Sequence, residues 1–240
     1  MQSGTRANQV EPRVALRRFF DKMLVELGPQ DWWPARTRLE VILGAILVQN
    51  TAWQNAALAL KQLRKKGLLN LARLRHATRF ELEGCVRPAG FFRQKADTIQ
   101  NFLAWLDDTC GGSLTGMFAL PPHELRHQLL QVKGLGPETV DAILLYAGQR
   151  PFFVADNYTR RILARHEVVH PGANYGEVQE FLHHHLPADA NLFNEYHALL
   201  VEVGKQYCKR QEPQCGDCPL EDFLGPHQPI PLPASRLKTA

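Results

Sequence analysis

Residues 129–166 read LLQVKGLGPETVDAILLYAGQRPFFVADNYTRRILARH, and two helical patterns there are joined by a glycine-punctuated turn. Gly134 and Gly136 lack Cβ atoms, so the backbone can turn tightly and bring its N–H groups close to an outside ligand. The helix that follows is predicted to start near Pro137, whose missing donor costs nothing in a first turn. Unpaired amides and the helix dipole at that point favour an anion such as phosphate. A plain helix–turn–helix corner is the alternative reading of the same residues. Further on, PFFVAD is a short β-branched and aromatic run ending in an acid, and NYTRRIL reads as a helix that Asn157 can cap. Asp156 therefore stands just before a helix start, twenty residues after Gly136. Taken alone it reads as an N-cap or turn residue, as a lone aspartate usually does.

The surrounding chain is helical in pattern. Apolar residues recur at three and four in 14–27, 38–50, 80–86, 95–108, 124–132, 139–147, 176–186 and 196–207, separated by turn clusters such as GPQDWWP, CGGSL, LPPHE and HPGANYG. The expected fold class is all-α. With 240 residues, 45% of them hydrophobic, the chain can bury an ample core. Residues 1–10 and the Pro-rich tail 225–240 are expected to be flexible. No run approaches the length of a membrane span and the N-terminus has no hydrophobic signal core, so a soluble, cytoplasmic protein is expected, without a membrane partner. The net charge of +4 is too small to identify a nucleic-acid binder. Local groups, Arg73 with Arg75 and Arg79, Arg87 with Arg93 and Lys95, and Arg160 with Arg161 and Arg165, are candidates for backbone phosphates.

The glycine turn, the spacing and the acid together resemble the helix-hairpin-helix and aspartate of the endonuclease III-like (HhH-GPD) DNA glycosylase superfamily. The likeness extends along most of the chain. LEVILGAILVQNTAWQNAALAL, residues 39–60, is similar to the family's early core helix, with Gln49 where relatives carry a glutamine that probes the DNA stack. GFFRQKADTI, from Gly90, resembles the segment G-[LF]-[YF]-x-x-K-A. Gln49 also reads as a polar helix end, and Phe91 or Phe92 as core. The resemblance implies two lobes: a six-helix barrel over 37–150 containing the hairpin at about 124–147, and a lobe made of 11–36 and 151–207, with the substrate cleft between them. It also implies a monomer acting on double-stranded DNA that contains a damaged base.

Site residues follow from that resemblance. Asp156 is the catalytic acid, whose charge stabilises the cation that grows on deoxyribose as the base departs and whose oxygen can orient water. Gln49, Phe91, Lys133, Gly134, Leu135, Gly136, Glu138 and Thr139 are the expected DNA-binding set. Trp32, Trp33, Trp53, Phe92 and Lys205 are candidates for the pocket of an extruded base. The tryptophans also read as structural residues, and Lys205 as a solvated helix-end cation. Relatives that cut the strand carry a lysine two residues after the second hairpin glycine, which forms a Schiff base. Glu138 stands there, and a carboxylate cannot form an imine. With WWP at 32–34 and QNT at 49–51, this resembles the 3-methyladenine DNA glycosylase III branch, which removes alkylated purines. A bifunctional glycosylase/AP lyase for oxidised pyrimidines and a non-catalytic DNA-binding module are the alternatives.

Cys208, Cys215 and Cys218 match three ligand positions of the family's [4Fe–4S] cluster. Leu224 stands where the fourth cysteine would be, and leucine cannot ligate iron. Either His227 or Asp222 completes the set, or the loop has lost its metal; zinc is a further alternative. Cys85 and Cys110 fall in separate helical segments, and an intracellular context disfavours disulfides.

Overall fold

The computed structural model describes residues 11–225. The segments expected to be flexible, 1–10 and most of 225–240, lie outside the described residues, as does His227. All regular structure among the described residues is helical: α1 (Pro12–Leu27), α2 (Arg38–Leu47), α3 (Trp53–Lys65), α4 (Leu71–Arg75), α5 (Arg79–Val86), α6 (Phe92–Cys110), α7 (Leu114–Ala119), α8 (Pro122–Leu130), α9 (Pro137–Ala142), α10 (Asn157–Arg165), α11 (Tyr175–His185) and α12 (Ala190–Gln206). No described helix is long and apolar enough to cross a membrane.

The chain divides into two compact units, one from residues up to Trp32 with those from Phe152 onward, the other from Trp33 to Pro151. The change of unit falls four residues before the expected start of the barrel at residue 37. The Trp33 indole explains the shift: its ring meets Trp53 edge-on at 5.1 Å and Tyr146 at 5.2 Å. An added Cβ at Gly44 would come within 2.9 Å of the same indole. Two adjacent tryptophans cannot easily share one core, and Trp32 groups with the other unit.

In the unit holding α2 to α9, α2 is the central element. Every residue from Leu39 to Leu47 is buried, as expected of a helix apolar on all sides, and α3, α6 and α9 pack around it. Thr37 caps it by accepting from Glu40 N at 3.2 Å. The Glu40 carboxylate is buried but pairs with Arg64 and accepts from Arg36 N at 3.0 Å, which offsets its desolvation. The expected continuous helix over 39–60 is in fact α2 and α3, parted at Val48–Ala52. Asn50 adopts a left-handed φ of 54° there, a conformation no helix interior holds and that asparagine tolerates better than most residues.

In the other unit α12 carries the packing, with α1 and α10 against it. Tyr196, fully buried, donates its hydroxyl to Leu16 O at 2.7 Å. PFFVAD forms no strand; residues 151–156 run irregularly through the interior. Side chains take the place of a partner strand: Phe153 N donates to His183 Nε2 at 2.9 Å and Gln179 Nε2 donates to Phe153 O at 2.7 Å. The buried backbone of Phe153 is thereby satisfied without a ladder. Helix α10 lies close on α12 because Gly204 leaves room for the Tyr158 ring, and Arg161 donates to Gly204 O at 3.0 Å and Cys208 O at 2.7 Å.

A methyl group at Gly204 would sit 2.8 Å from Tyr158 Cβ, so Gly204→Ala is expected to lower unfolding free energy by about 1–3 kcal/mol through overpacking, read as a reduced Tm in thermal denaturation.

Candidate DNA-glycosylase site

The hairpin is α8, a turn over 131–136, and α9. Gly134 has φ 100°, which disfavours any side chain, and an added Cβ would collide with Thr98. Leu135 N donates to Val132 O at 3.0 Å, tightening the turn, and Leu135 is buried beneath it. Gly136 is the N-cap of α9 and Pro137 opens the helix. Lys133, Gly136 and Glu138 are exposed on the outer side, and Glu138 lies in the first turn of α9, where the dipole favours an acid.

Two more segments join this turn. Gln49 Nε2 donates to Gly134 O at 3.1 Å and to Thr139 Oγ1 at 2.7 Å, so the loop after α2 is pinned to the hairpin. Lys95, only 2% exposed, donates from Nζ to Leu47 O at 2.8 Å and Ala89 O at 2.6 Å. One ammonium thus links the end of α2 to the turn that carries Gly90 and Phe91. Burial pulls its pKa down to about 8. Phe91 holds a left-handed backbone, φ 45° and ψ 34°, and leaves 60% of its surface exposed. A bulky apolar residue in that conformation is strained, and strain of this kind gathers at functional positions. Phe92, the first residue of α6, lies between the guanidinium groups of Arg87 and Arg93 at 4.6 and 5.5 Å from its ring centre.

Trp33, Trp53 and Tyr146 form an aromatic cluster in the same unit. Tyr146 lies on a π-helical turn, Ile143–Ala147, that continues α9. Sequence reading selected the two tryptophans but not Tyr146, because an aromatic residue at helical spacing reads as core.

Asp156 lies in the other unit, 9% exposed. It is the N-cap of α10, a role expected for Asn157, which is instead the first helical residue. Its Oδ1 accepts from Thr159 N at 2.8 Å and its Oδ2 lies 3.6 Å from His197 Nε2, an ion-pair contact when that imidazole is protonated. Burial pushes the carboxyl up, but the His197 imidazole and the Thr159 amide outweigh it and hold it below the usual carboxylate range. The cap reading and the acid reading of Asp156 are therefore compatible: capping leaves Oδ2 as a charged oxygen. His197 escaped sequence reading because a single histidine on an apolar helix carries no pattern. Lys205 is exposed and pairs with Glu202 at 2.8 Å on its own helix.

Several cations expected at phosphates are engaged internally. Lys95 and Arg165 are buried, Arg75 pairs with Asp107 at 2.7 Å, and Arg79 pairs with Glu83 and Asp97. Arg87 and Arg93 remain exposed against the Phe92 ring.

Cys208, Cys215 and Cys218 line one cavity, and Leu224 lines it with them. Four-thiolate ligation of a cluster does not fit these residues, because the fourth wall is aliphatic. Asp222 pairs with Lys22 at 3.3 Å.

A family model for HhH-GPD superfamily base excision DNA repair proteins matches residues 43–188. A Methanocaldococcus jannaschii protein bearing the name of a DNA repair glycosylase is 40% identical over 199 residues, 82% of this chain and 89% of that one. The H. pylori 3-methyladenine DNA glycosylase (MagIII) bound to 1,N6-ethenoadenine superposes with a TM-score of 0.71 at 26% identity, over 82% of this chain and 98% of that one. A non-covalent endonuclease III–DNA complex gives 0.73 at 23%, over 90% and 96%, and shares the fold. With the hairpin, the buried acid and a family match over most of the chain in agreement, this protein belongs to the HhH-GPD superfamily of base excision DNA repair proteins and is a DNA glycosylase.

Proposed function

We propose that the chain is a monofunctional glycosylase that hydrolyses the bond between deoxyribose and an alkylated purine in double-stranded DNA, acting as a monomer. Glu138 carries this reading. It occupies the first turn of α9, where an amine would be needed to attack the sugar, and its carboxylate can neither form an imine nor open the strand by elimination. Hydrolysis by water is the remaining course. Asp156 supplies the fixed negative charge as the glycosidic bond lengthens and positive charge spreads over the sugar ring. Its depressed pKa keeps it ionised for that purpose.

An alkylated purine is cationic and electron-poor, and the faces of Trp33, Trp53 and Tyr146 attract such a ring. The likeness to a 3-methyladenine glycosylase holding an ethenoadenine supports this substrate class. Phe91 and Gln49 suit the gap left by the extruded nucleotide, and the Lys133–Gly136 turn, with Arg87 and Arg93, suits the backbone phosphates.

Incubation with methylated duplex DNA is expected to release free purine, seen by chromatography, while the strand stays intact until alkali is added. Borohydride is expected to trap no enzyme on DNA. Strand nicking that keeps pace with base release would favour the bifunctional alternative. Asp156→Asn is expected to lower base release by about two to four orders of magnitude and to spare DNA binding in a gel-shift assay; binding without any base release by the unmutated protein would favour the non-catalytic module.

Phe91→Gly removes both the strained conformation and the exposed ring. It is expected to raise unfolding free energy by about 1 kcal/mol while slowing base release from duplex DNA roughly tenfold, with a smaller loss on a mispaired target whose base unstacks more cheaply. Chemical denaturation and single-turnover kinetics measure the two effects.

A further inference from the structure

Lys95 is a buried ammonium to which base hydrolysis assigns no task. It lies in the first turn of α6, where the helix dipole disfavours a cation, and burial alone lowers its pKa. A cation held by carbonyls costs more to bury than an apolar side chain of its length, so packing does not account for it. Its two acceptors share a register. Leu47, whose carbonyl accepts from Nζ at 2.8 Å, stands two residues before Gln49, and Ala89, whose carbonyl accepts at 2.6 Å, stands two residues before Phe91. The backbone is left-handed beside both side chains, at Asn50 with φ 54° and at Gly90 and Phe91 with φ 69° and 45°. Turns of this kind persist where their surroundings hold them. Further along α6, Thr98 lies against Gly134, where an added Cβ would collide with it, and Asn101 Nδ2 donates to Lys133 O at 3.0 Å. One helix thus seats the Gln49 loop, the Phe91 turn and the hairpin.

We propose that Lys95 is a positioning residue for base extrusion, its one ammonium holding Gln49 and Phe91 at a fixed separation so that both enter the gap in the duplex together. The inference rests on the glycosylase function proposed above and on its assignment of those two side chains to the gap. Extrusion breaks stacking on both sides of the target nucleotide, and side chains placed beforehand recover contact without losing further freedom on binding. Phe91 supplies an exposed ring. Gln49 supplies an amide already oriented by its bonds to Gly134 O and Thr139 Oγ1. Without the ammonium, Leu47 O and Ala89 O lose their shared donor and the two turns are free to part. Because Lys95 acts through backbone carbonyls, the loss falls on extrusion and not on cleavage of the glycosidic bond.

The test uses the full chain on a duplex that carries a stable abasic analogue, tetrahydrofuran, beside 2-aminopurine, whose fluorescence rises when its stacking is broken. The unmutated protein is expected to raise the fluorescence, and Lys95→Met to lose roughly half or more of that rise while still shifting the duplex in a gel. Lys95→Gln keeps two N–H donors on a shorter side chain and is expected to fall between the two; where circular dichroism shows that Lys95→Met does not fold, Lys95→Gln carries the same comparison. In single-turnover release of purine from methylated duplex DNA, Lys95→Met is expected to slow the unmutated protein about tenfold and a Gln49→Ala, Phe91→Gly protein by less than about twofold, because the side chains it positions are then absent. A fluorescence rise that survives the substitution, equal slowing in both backgrounds, or an unmutated protein that leaves 2-aminopurine stacked overturns the proposal. A fluorescence pattern that holds while no purine is released supports the positioning role and counts against the alkylpurine reading.

Discussion

A carboxylate kept charged inside an apolar interior is the constraint around which one unit of this protein is arranged. Removing Asp156 from water penalises its charge, and the Thr159 amide and the His197 imidazole return what burial takes away. Both partners must be held in place for that to work. Thr159 is held because it is the third residue of the helix that Asp156 begins. His197 is held because α12 is packed against α10 at a glycine and against α1 through the Tyr196 hydroxyl. The buried segment 151–156 reaches the cap with its Phe153 backbone held by His183 and Gln179 rather than by a sheet.

The other unit solves a different problem, the alignment of three short turns. A glutamine amide and a lysine ammonium do this by donating to backbone carbonyls, the Gly134 and Leu47 carbonyls lying far away in sequence and that of Ala89 nearby. Such bonds are strong in a low-dielectric setting and costly to leave unmade. The Gly134 turn, the Gln49 loop and the Phe91 turn are therefore fixed relative to one another before any ligand arrives.

Much of this was legible in the amino-acid order. Helices with a clear apolar stripe, such as α1, α6, α11 and α12, follow their periodicity, and the hairpin glycines and Asp156 stand out by chemistry and spacing. The division of 39–60 into two helices was not legible, because it depends on Asn50 taking a left-handed conformation that the apolar periodicity on either side does not announce. The parting of Trp32 from Trp33 depends on a space above Gly44, which only packing reveals. His197 and Tyr146 gave no signal because their partners, Asp156 and Trp33, lie far away in sequence. The basic clusters misled for the same reason, since charge in sequence does not distinguish an exposed cation from Arg165 or Lys95 bonded to carbonyls.

Helix α10 has Asp156 at one end and Arg165 at the other, nine residues that span about 13 Å. Arg165 and Arg161 grip the carbonyls of the segment that follows α12. The helix is thus a strut clamped at its far end by the cysteine loop, and the steadiness of the acid depends on a part of the chain at the other end of that helix. Oxidation or proteolytic trimming of that loop would loosen the clamp, so handling the thiols badly would age the preparation at its opposite end.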